Sequence, residues 1–323
     1  MSKVLITTVP FGDKNRIPLD LLEKDNIEYL INPVNKKLTE DQLADIIADF
    51  DVVIAGTEPI TRKVMDRATN LKLISRVGIG LDSVDLSAAK EKGVTVSYTP
   101  DAPANAVSDL ALGFMLALLR QTHVSNAKMH RGEWQRFLGR RLGEVTIGVI
   151  GLGRIGIGVL ARLQGFGRPR ILVNDIQEKK YIETAFNFEW AEKEELYRQA
   201  DVITLHVPLT KQTKGMIGEK ELRLMKPDAV VINTARGGII NENDLYQVMK
   251  DGHLSGAAID VFEQEPYDGP LKEIERCYLT SHMGSMSADC RARMEIEATQ
   301  EAIRFIKGET LEGVVPEVEY EAQ

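Results

Sequence analysis

An apolar, β-branched run that breaks into regularly spaced glycines is the feature that most restricts how this chain can fold. Residues 145–150 favour a buried strand, Gly151, Gly153 and Gly156 follow, and apolar residues then resume at helical spacing. Glycine permits a tight turn, close approach of backbone to a ligand, and close packing of a helix on a strand. The pattern predicts a strand, a turn and a helix whose N-terminus offers N–H groups to phosphate.

A second apolar run supports a nucleotide-binding interpretation. Residues 171–174 are followed by Asp175. Its distance from the glycines along the chain is close to the spacing of about 20 residues expected for the acid that binds the ribose 2′-hydroxyl. Strand, glycines, helix, strand and acid in this order predict dinucleotide binding. A carboxylate repels a 2′-phosphate and no arginine follows in residues 176–178, so NAD is favoured over NADP.

Composition places the chain among ordinary globular proteins and excludes some partners. With 323 residues, 43% of them hydrophobic, it is long enough for two domains. A net charge of -8 argues against a nucleic-acid partner, and the longest apolar stretch, residues 110–119, is too short to cross a membrane. The N-terminus shows no export signal and the two cysteines are too few for a disulfide framework, so we expect a cytoplasmic protein.

The first hundred residues alternate short strands with polar helical stretches, which predicts a parallel sheet. A segment with two prolines, residues 98–103, indicates a linker. Residues 105–129 predict one long helix that is buried on more than one side, and residues 289–306 predict a helix that returns to the first domain. The acidic tail after Pro316 is expected to be loosely ordered. The predicted strands of the first part are residues 4–6, 29–31, 52–54, 73–75 and 94–96.

Four further parallel strands are predicted after the glycine motif, and each ends in polar residues. Because the carboxyl ends of parallel strands meet at one edge, where a doubly wound sheet keeps its cofactor, these side chains are expected to lie together. The strands are residues 202–206, 229–233, 257–260 and 278–280, and the polar residues are His206, Asn233, Arg236, Asp260 and His282.

Three further motifs are more selective than the glycines. Residues 233–240 (NTARGGII), 258–266 (AIDVFEQEP) and 279–284 (LTSHMG) resemble the D-isomer-specific 2-hydroxyacid dehydrogenases, and the resemblance covers nearly the whole chain. Within that family the chain looks closest to phosphoglycerate dehydrogenases without their C-terminal regulatory domain. The resemblance implies an α/β fold of two doubly wound parallel-sheet domains. A Rossmann NAD domain (100–284) would be inserted into a flavodoxin-like substrate domain (1–99), with 285–323 as the return helix and tail.

The resemblance also implies which residues react. Arg236 would clamp the substrate carboxylate and carbonyl, His282 would be the acid/base, and Glu265 its carboxylate partner. The chemistry requires these types, because a guanidinium grips a planar carboxylate through paired N–H donors. The alkoxide formed by hydride transfer needs a proton, which histidine can supply near neutral pH.

Cofactor and substrate contacts are carried over in the same way. His206 would line the adenine pocket, Asp260 would contact the nicotinamide carboxamide, and no metal is expected. Val77 and Gly78, just after a predicted strand, would bind the substrate together with Arg236. The full set of implied cofactor residues is Gly151, Gly153, Arg154, Ile155, Gly156, Asp175, His206, Pro208, Thr213, Thr234, Ala235, Asp260 and Gly284.

Three departures from the family pattern concern the substrate. Ala55 stands where the phosphoglycerate dehydrogenases share an arginine that binds the substrate phosphate. Glu58 follows closely, and Pro103 replaces a substrate-contacting asparagine. We therefore expect a small anionic 2-oxo acid without a phosphate.

Two alternatives stay open: 3-phosphoglycerate dehydrogenase of serine biosynthesis, and an NAD-sensing protein similar to the corepressor C-terminal binding proteins. A homodimer through residues 100–140 is expected because that helix has excess apolar surface.

Overall fold

The computed structural model describes residues 2–322, which form two compact units. The first unit runs to Pro103 and resumes at Met286, and the second unit runs from Ala104 to Ser285. The sequence analysis placed these boundaries after residues 99 and 284. The second unit is thus inserted into the chain of the first. Within residues 2–322, no helix combines the length and apolar character that a bilayer crossing requires.

The elements of both units follow one another as short strands and helices. The strands are β1 (Lys3–Ile6), β2 (Glu28–Ile31), β3 (Val52–Ala55), β4 (Leu73–Arg76), β5 (Thr95–Ser97), β6 (Thr146–Ile150), β7 (Arg170–Asn174), β8 (Glu189–Trp190), β9 (Val202–Leu205), β10 (Val230–Asn233), β11 (Gly256–Ile259) and β12 (Cys277–Leu279). The helices are α1 (Ile17–Lys24), α2 (Glu40–Ile46), α3 (Arg62–Arg67), α4 (Leu86–Glu91), α5 (Ala104–Arg120), α6 (Thr122–His130), α7 (Arg154–Leu163), α8 (Lys180–Glu183), α9 (Lys193–Gln199), α10 (Glu219–Leu224), α11 (Glu242–Lys250), α12 (Ala288–Lys307) and α13 (Glu317–Ala322).

The first unit is a five-stranded, fully parallel sheet in the order β2-β1-β3-β4-β5, the flavodoxin-like doubly wound arrangement. Its central strands β3 and β4 are buried along their whole length, as expected when helices cover both faces. The buried Ser75 hydroxyl donates to the carbonyl of Ala298 in α12 at 2.8 Å. Helix α12 thus packs on the sheet of this unit.

The second unit has a seven-stranded parallel sheet in the order β12-β11-β10-β9-β6-β7-β8. Strand order reverses between β6 and β9, as in a Rossmann fold. The prediction of two doubly wound parallel sheets is confirmed. The edge strand β8, only two residues long, was not predicted because so short a stretch shows no alternation of apolar residues.

Two sequence expectations are wrong. The single helix predicted over residues 105–129 is two helices, because Gln121 adopts a left-handed conformation with φ +49° between α5 and α6. The tail expected to be loosely ordered contains α13. Tyr320 of this helix packs against the core of the first unit, and Glu317 pairs with Lys90. The acidic composition of the tail did not predict that Tyr320 packs against the core.

Candidate active site

The glycine loop between β6 and α7 has the geometry that the spacing of its glycines predicts. Gly151 has φ +97°, and a Cβ there would lie 2.5 Å from the carbonyl oxygen of His206. A Cβ on Gly156 would lie 2.1 Å from the carbonyl oxygen of Gly151, whereas a Cβ on Gly153 would meet nothing within 4 Å. The first and third glycines therefore permit the turn and its packing. The space beside Gly153 is open for a ligand.

Asp175 follows β7 and reaches back to this loop. Its Oδ2 accepts a hydrogen bond from the Leu152 N–H at 2.5 Å, and its Oδ1 accepts one from the Gln177 N–H at 3.0 Å. Lys179 donates from Nζ to the Leu152 carbonyl at 2.7 Å. The structure thus brings a cation to the same loop, from Lys179, one residue beyond the segment 176–178 in which no arginine follows Asp175.

Two buried polar atoms lie after the neighbouring strands β9 and β10. His206 Nε2 and the Thr204 hydroxyl form a hydrogen bond of 3.0 Å. Burial lowers the pKa of His206 to about 3, so the ring is neutral. Within residues 2–322, neither His206 Nδ1 nor the Thr234 hydroxyl has a hydrogen-bond partner. Unsatisfied buried polar atoms are uncommon, and at this edge they fit a ligand that supplies the missing partners.

The remaining predicted cofactor residues lie in the loops that follow these strands or begin the helix. Arg154 and Ile155 open α7, at the positive end of its dipole. The Thr213 hydroxyl donates to the Pro208 carbonyl at 2.6 Å and closes the loop after β9. The Ala235 N–H donates to Asn233 Oδ1 at 3.0 Å and fixes the turn after β10.

Asp260, which follows β11, is fully buried and shapes the loop that carries His282. Its Oδ1 accepts hydrogen bonds from the Thr280 hydroxyl at 2.5 Å and the Met283 N–H at 2.7 Å, and its Oδ2 accepts one from the Gly284 N–H at 2.8 Å. Its carbonyl also accepts the His282 N–H at 2.8 Å. The predicted contact of Asp260 with nicotinamide stays a prediction, whereas its support of this loop is direct.

The proposed acid/base and its carboxylate partner are in contact. His282 Nδ1 lies 3.0 Å from Glu265 Oε2 and 3.1 Å from Oε1, and both side chains are partly exposed. Glu265 Oε1 also accepts the Phe262 N–H at 3.2 Å, which fixes the carboxylate. A carboxylate at Nδ1 orients the ring and leaves Nε2 as the nitrogen that can face a substrate.

Arg236 lies in the loop after β10, beside the loop that carries Glu265. Its carbonyl accepts a hydrogen bond from the Asn233 side chain at 2.8 Å. A Cβ on Gly237 would lie 2.0 Å from the carbonyl of Phe262, so only glycine permits this approach of the two loops. The guanidinium donates to the Ala235 carbonyl at 2.7 Å.

The predicted substrate residues Val77 and Gly78 belong to the first unit, after β4. The Val77 N–H donates to the Ala55 carbonyl at 2.9 Å, and the Gly78 N–H donates to the Thr99 hydroxyl at 2.8 Å. Neither N–H can bind a carboxylate without exchanging these bonds. Gly78 has φ +136°, and a Cβ there would meet nothing within 4 Å, so the backbone itself is open to a ligand.

Glu242 was not singled out from the sequence. It opens α11, and its Oε1 accepts the Glu263 N–H at 2.7 Å. Burial, with a smaller contribution from the neighbouring carboxylates of Glu263 and Glu265, raises its pKa. A helix-opening glutamate is so common that no sequence signal distinguishes it.

The open space at Gly153, the two unsatisfied atoms and the reversal of strand order all fit a dinucleotide, and the Glu265–His282 pair fits proton transfer. These features define a dinucleotide-dependent oxidoreductase. Residues 112–284 match the family model described as D-isomer specific 2-hydroxyacid dehydrogenase, NAD binding domain. The chain belongs to the D-isomer specific 2-hydroxyacid dehydrogenase family, and its cofactor is NAD.

Known proteins resemble the chain along most of its length. It is 38% identical to a D-3-phosphoglycerate dehydrogenase of Methanocaldococcus jannaschii over 98% of this chain, but spans only 59% of that relative. It is 37% identical to a glyoxylate reductase of Thermococcus litoralis, over 83% of this chain and 84% of the relative. The solved D-lactate dehydrogenase of Aquifex aeolicus, complexed with NAD and lactic acid, superposes with a TM-score of 0.84. It is 26% identical and covers 94% of this chain and 96% of that one.

Proposed function

We propose that this chain interconverts a small, unphosphorylated 2-oxo acid and the corresponding D-2-hydroxy acid. The observation that carries the proposal is the contact of His282 Nδ1 with the Glu265 carboxylate at 3.0 Å. Bound NADH would supply the hydride that reaches C2. His282 would donate a proton from Nε2 to the oxygen that becomes the alkoxide, and Glu265 would hold the ring through Nδ1.

Arg236 would bind the substrate carboxylate. A guanidinium presents two parallel N–H groups that match the two carboxylate oxygens, and its charge persists at any working pH. The loop around Val77 and Gly78 is proposed as the second substrate contact, with Gly78 allowing close approach of the backbone. In the reverse direction His282 would accept the hydroxyl proton.

The substrate class follows from the missing phosphate ligand. Ala55, at the end of β3, offers no charge where an arginine was expected, and the buried Glu58 carboxylate would repel a phosphate near it. The identity to D-3-phosphoglycerate dehydrogenase favours the second candidate, 3-phosphohydroxypyruvate. The two candidates therefore differ in one measurable preference.

The test compares kcat/KM with NADH for glyoxylate, hydroxypyruvate and 3-phosphohydroxypyruvate, and then repeats the best substrate with NADPH. We expect an unphosphorylated acid to be preferred, and kcat/KM with NADH to exceed that with NADPH because Asp175 would repel a 2′-phosphate. A tenfold preference for the phosphorylated acid would support phosphoglycerate dehydrogenase instead. Equal use of NADPH would show that Lys179 offsets Asp175.

We also propose a homodimer formed through residues 100–140 and a cytoplasmic location. The dimer is supported by large apolar side chains that the second unit leaves exposed: Met129 is 51% exposed, Trp134 82% and Leu138 100%. Such a patch on one segment is typical of a protein interface. Assignment to the cytoplasm rests on the sequence pattern alone.

A further inference from the structure

The carboxyl edge of the five-stranded sheet holds a buried carboxylate that the proposed chemistry does not use. Glu58, in the loop between β3 and α3, is 2% exposed. Its Oε1 accepts hydrogen bonds from the Thr7 hydroxyl and from the Gly56 N–H, the latter at 3.0 Å. Because Thr7 follows β1 and Gly56 follows β3, the carboxylate lies across the junction of these two strands.

This junction is the point at which the order of strands reverses in the first unit. The chain places β2 on one side of β1 and β3 on the other. In open α/β sheets, the crevice outside the carboxyl ends at such a reversal is where ligands bind. Val77 of the predicted substrate loop donates its N–H to Ala55, the residue before Gly56. Val77 and Glu58 are thus hydrogen-bonded to adjacent residues, Ala55 and Gly56, at the end of β3.

One oxygen of Glu58 is left for a ligand. Within residues 2–322, no group donates a hydrogen bond to Oε2, and no cationic side chain forms an ion pair with this carboxylate. Oε2 is not fully enclosed by protein, so part of its surface stays accessible. Leaving one oxygen of a buried carboxylate without a donor costs free energy, and a ligand that donates to Oε2 would remove that cost.

The space around this oxygen depends on a glycine. A Cβ on Gly56 would lie 2.8 Å from Glu58 Oε2 and 3.0 Å from the Thr8 Cβ. Any other residue at position 56 would therefore press on the carboxylate. The small residue keeps Oε2 in place at the crevice.

We propose that Glu58 selects the substrate by accepting a hydrogen bond, through Oε2, from a donor on C3 of the 2-oxo acid. The inference rests on the proposed function and narrows its substrate class to 2-oxo acids with a C3 hydroxyl group, such as hydroxypyruvate. Glyoxylate has no C3 and leaves the carboxylate unsatisfied. A 3-phosphate brings like charge to the same oxygen and is rejected.

The test measures kcat/KM with NADH for hydroxypyruvate, glyoxylate and 3-phosphohydroxypyruvate in the wild type, Glu58→Ala and Glu58→Gln. We expect the wild type to favour hydroxypyruvate over glyoxylate. That ratio should fall about tenfold or more in Glu58→Ala, mainly through a higher KM for hydroxypyruvate. Because glutamine removes the charge and keeps the size, Glu58→Gln should raise kcat/KM for 3-phosphohydroxypyruvate relative to glyoxylate.

Glu301→Gln is the matched control. Glu301 is also buried in the first unit, at 3% exposure, but both of its oxygens accept hydrogen bonds, from the Glu312 and Gly313 N–H groups. This control should lower the midpoint of thermal unfolding and leave the substrate ratios unchanged. Unchanged ratios in both Glu58 variants, with NADH affinity and unfolding midpoint as in the wild type, would overturn the inference. If the wild type turns over none of the three acids, the proposed function fails and the inference fails with it.

Discussion

His282 adopts a left-handed backbone conformation, with φ +55°, that most residues avoid. Asp260 stabilises it from both sides, because its carbonyl holds the His282 N–H and its carboxylate holds Thr280, Met283 and Gly284. The imidazole is therefore presented to Glu265 by a rigid turn. The geometry of the proposed acid/base depends on Asp260, a residue that is itself completely buried.

Replacing His282 with alanine should lower kcat by roughly 10²–10⁴-fold, the usual contribution of a positioned acid/base. The affinity for NADH should change little, because the glycine loop and Asp175 are untouched. Stopped-flow reduction of the preferred acid and a fluorescence titration with NADH separate the two effects. Turnover near that of the wild type would mean that another group carries the proton.

His206 predicts a pH dependence of stability. Its pKa in the folded protein is about 3, against an ordinary value near 6.5, so between these values the unfolded chain binds a proton that the folded protein does not. The free energy of unfolding should therefore fall as pH falls below about 6.5, by up to about 1.4 kcal/mol per pH unit from this group.

Urea unfolding at pH 7, 6, 5 and 4 measures this contribution. His206→Asn should flatten the slope relative to the wild type, whereas His130→Asn, at an exposed position, should leave it unchanged. Carboxylates contribute equally to all three proteins, so the difference isolates His206. Equal slopes in the wild type and His206→Asn would contradict the pKa assigned to the folded state.

At the scale of elements, the turn from β6 to α7 was predictable because each glycine answers a separate steric requirement that sequence spacing exposes. The break between α5 and α6 was not, since Gln121 is a residue type that ordinarily continues a helix. For the site, strand ends identified the loops of His206, Asp260 and His282. Contacts between loops, such as Asp260 with Gly284, follow no spacing rule and required the structure.

Two glycine variants should separate folding from cofactor binding in this turn. Gly156→Ala puts a Cβ 2.1 Å from the Gly151 carbonyl oxygen, so the free energy of unfolding should fall by about 1–3 kcal/mol. Gly153→Ala meets no protein atom and should cost less than about 1 kcal/mol, yet weaken NADH binding. Gly165→Ala, also without a neighbour within 4 Å, is the control. Normal NADH affinity in Gly153→Ala would refute close approach of the pyrophosphate.

At the scale of the whole molecule, the exposed apolar side chains of residues 129–138 predict association. Leu138→Asp combined with Trp134→Asp should convert a dimer to monomers at micromolar concentration, because charge on both exposed positions opposes burial. Light scattering with size-exclusion chromatography gives the mass directly. Val318→Asp, 64% exposed in the first unit, should leave the mass unchanged. A monomeric wild type would refute the dimer.

During synthesis, a ribosome releases the strands of the first unit long before the helix that covers them. β5 ends at Ser97, but α12 starts only at Ala288, after the whole second unit has been translated. At about 5–20 residues per second this interval lasts roughly 10–40 seconds. The nascent second unit carries its complete sheet and can fold in that time, whereas the Ser75 hydroxyl still lacks the carbonyl of Ala298. Until α12 has been translated, the nascent first unit therefore exposes the face of its sheet that this helix later covers.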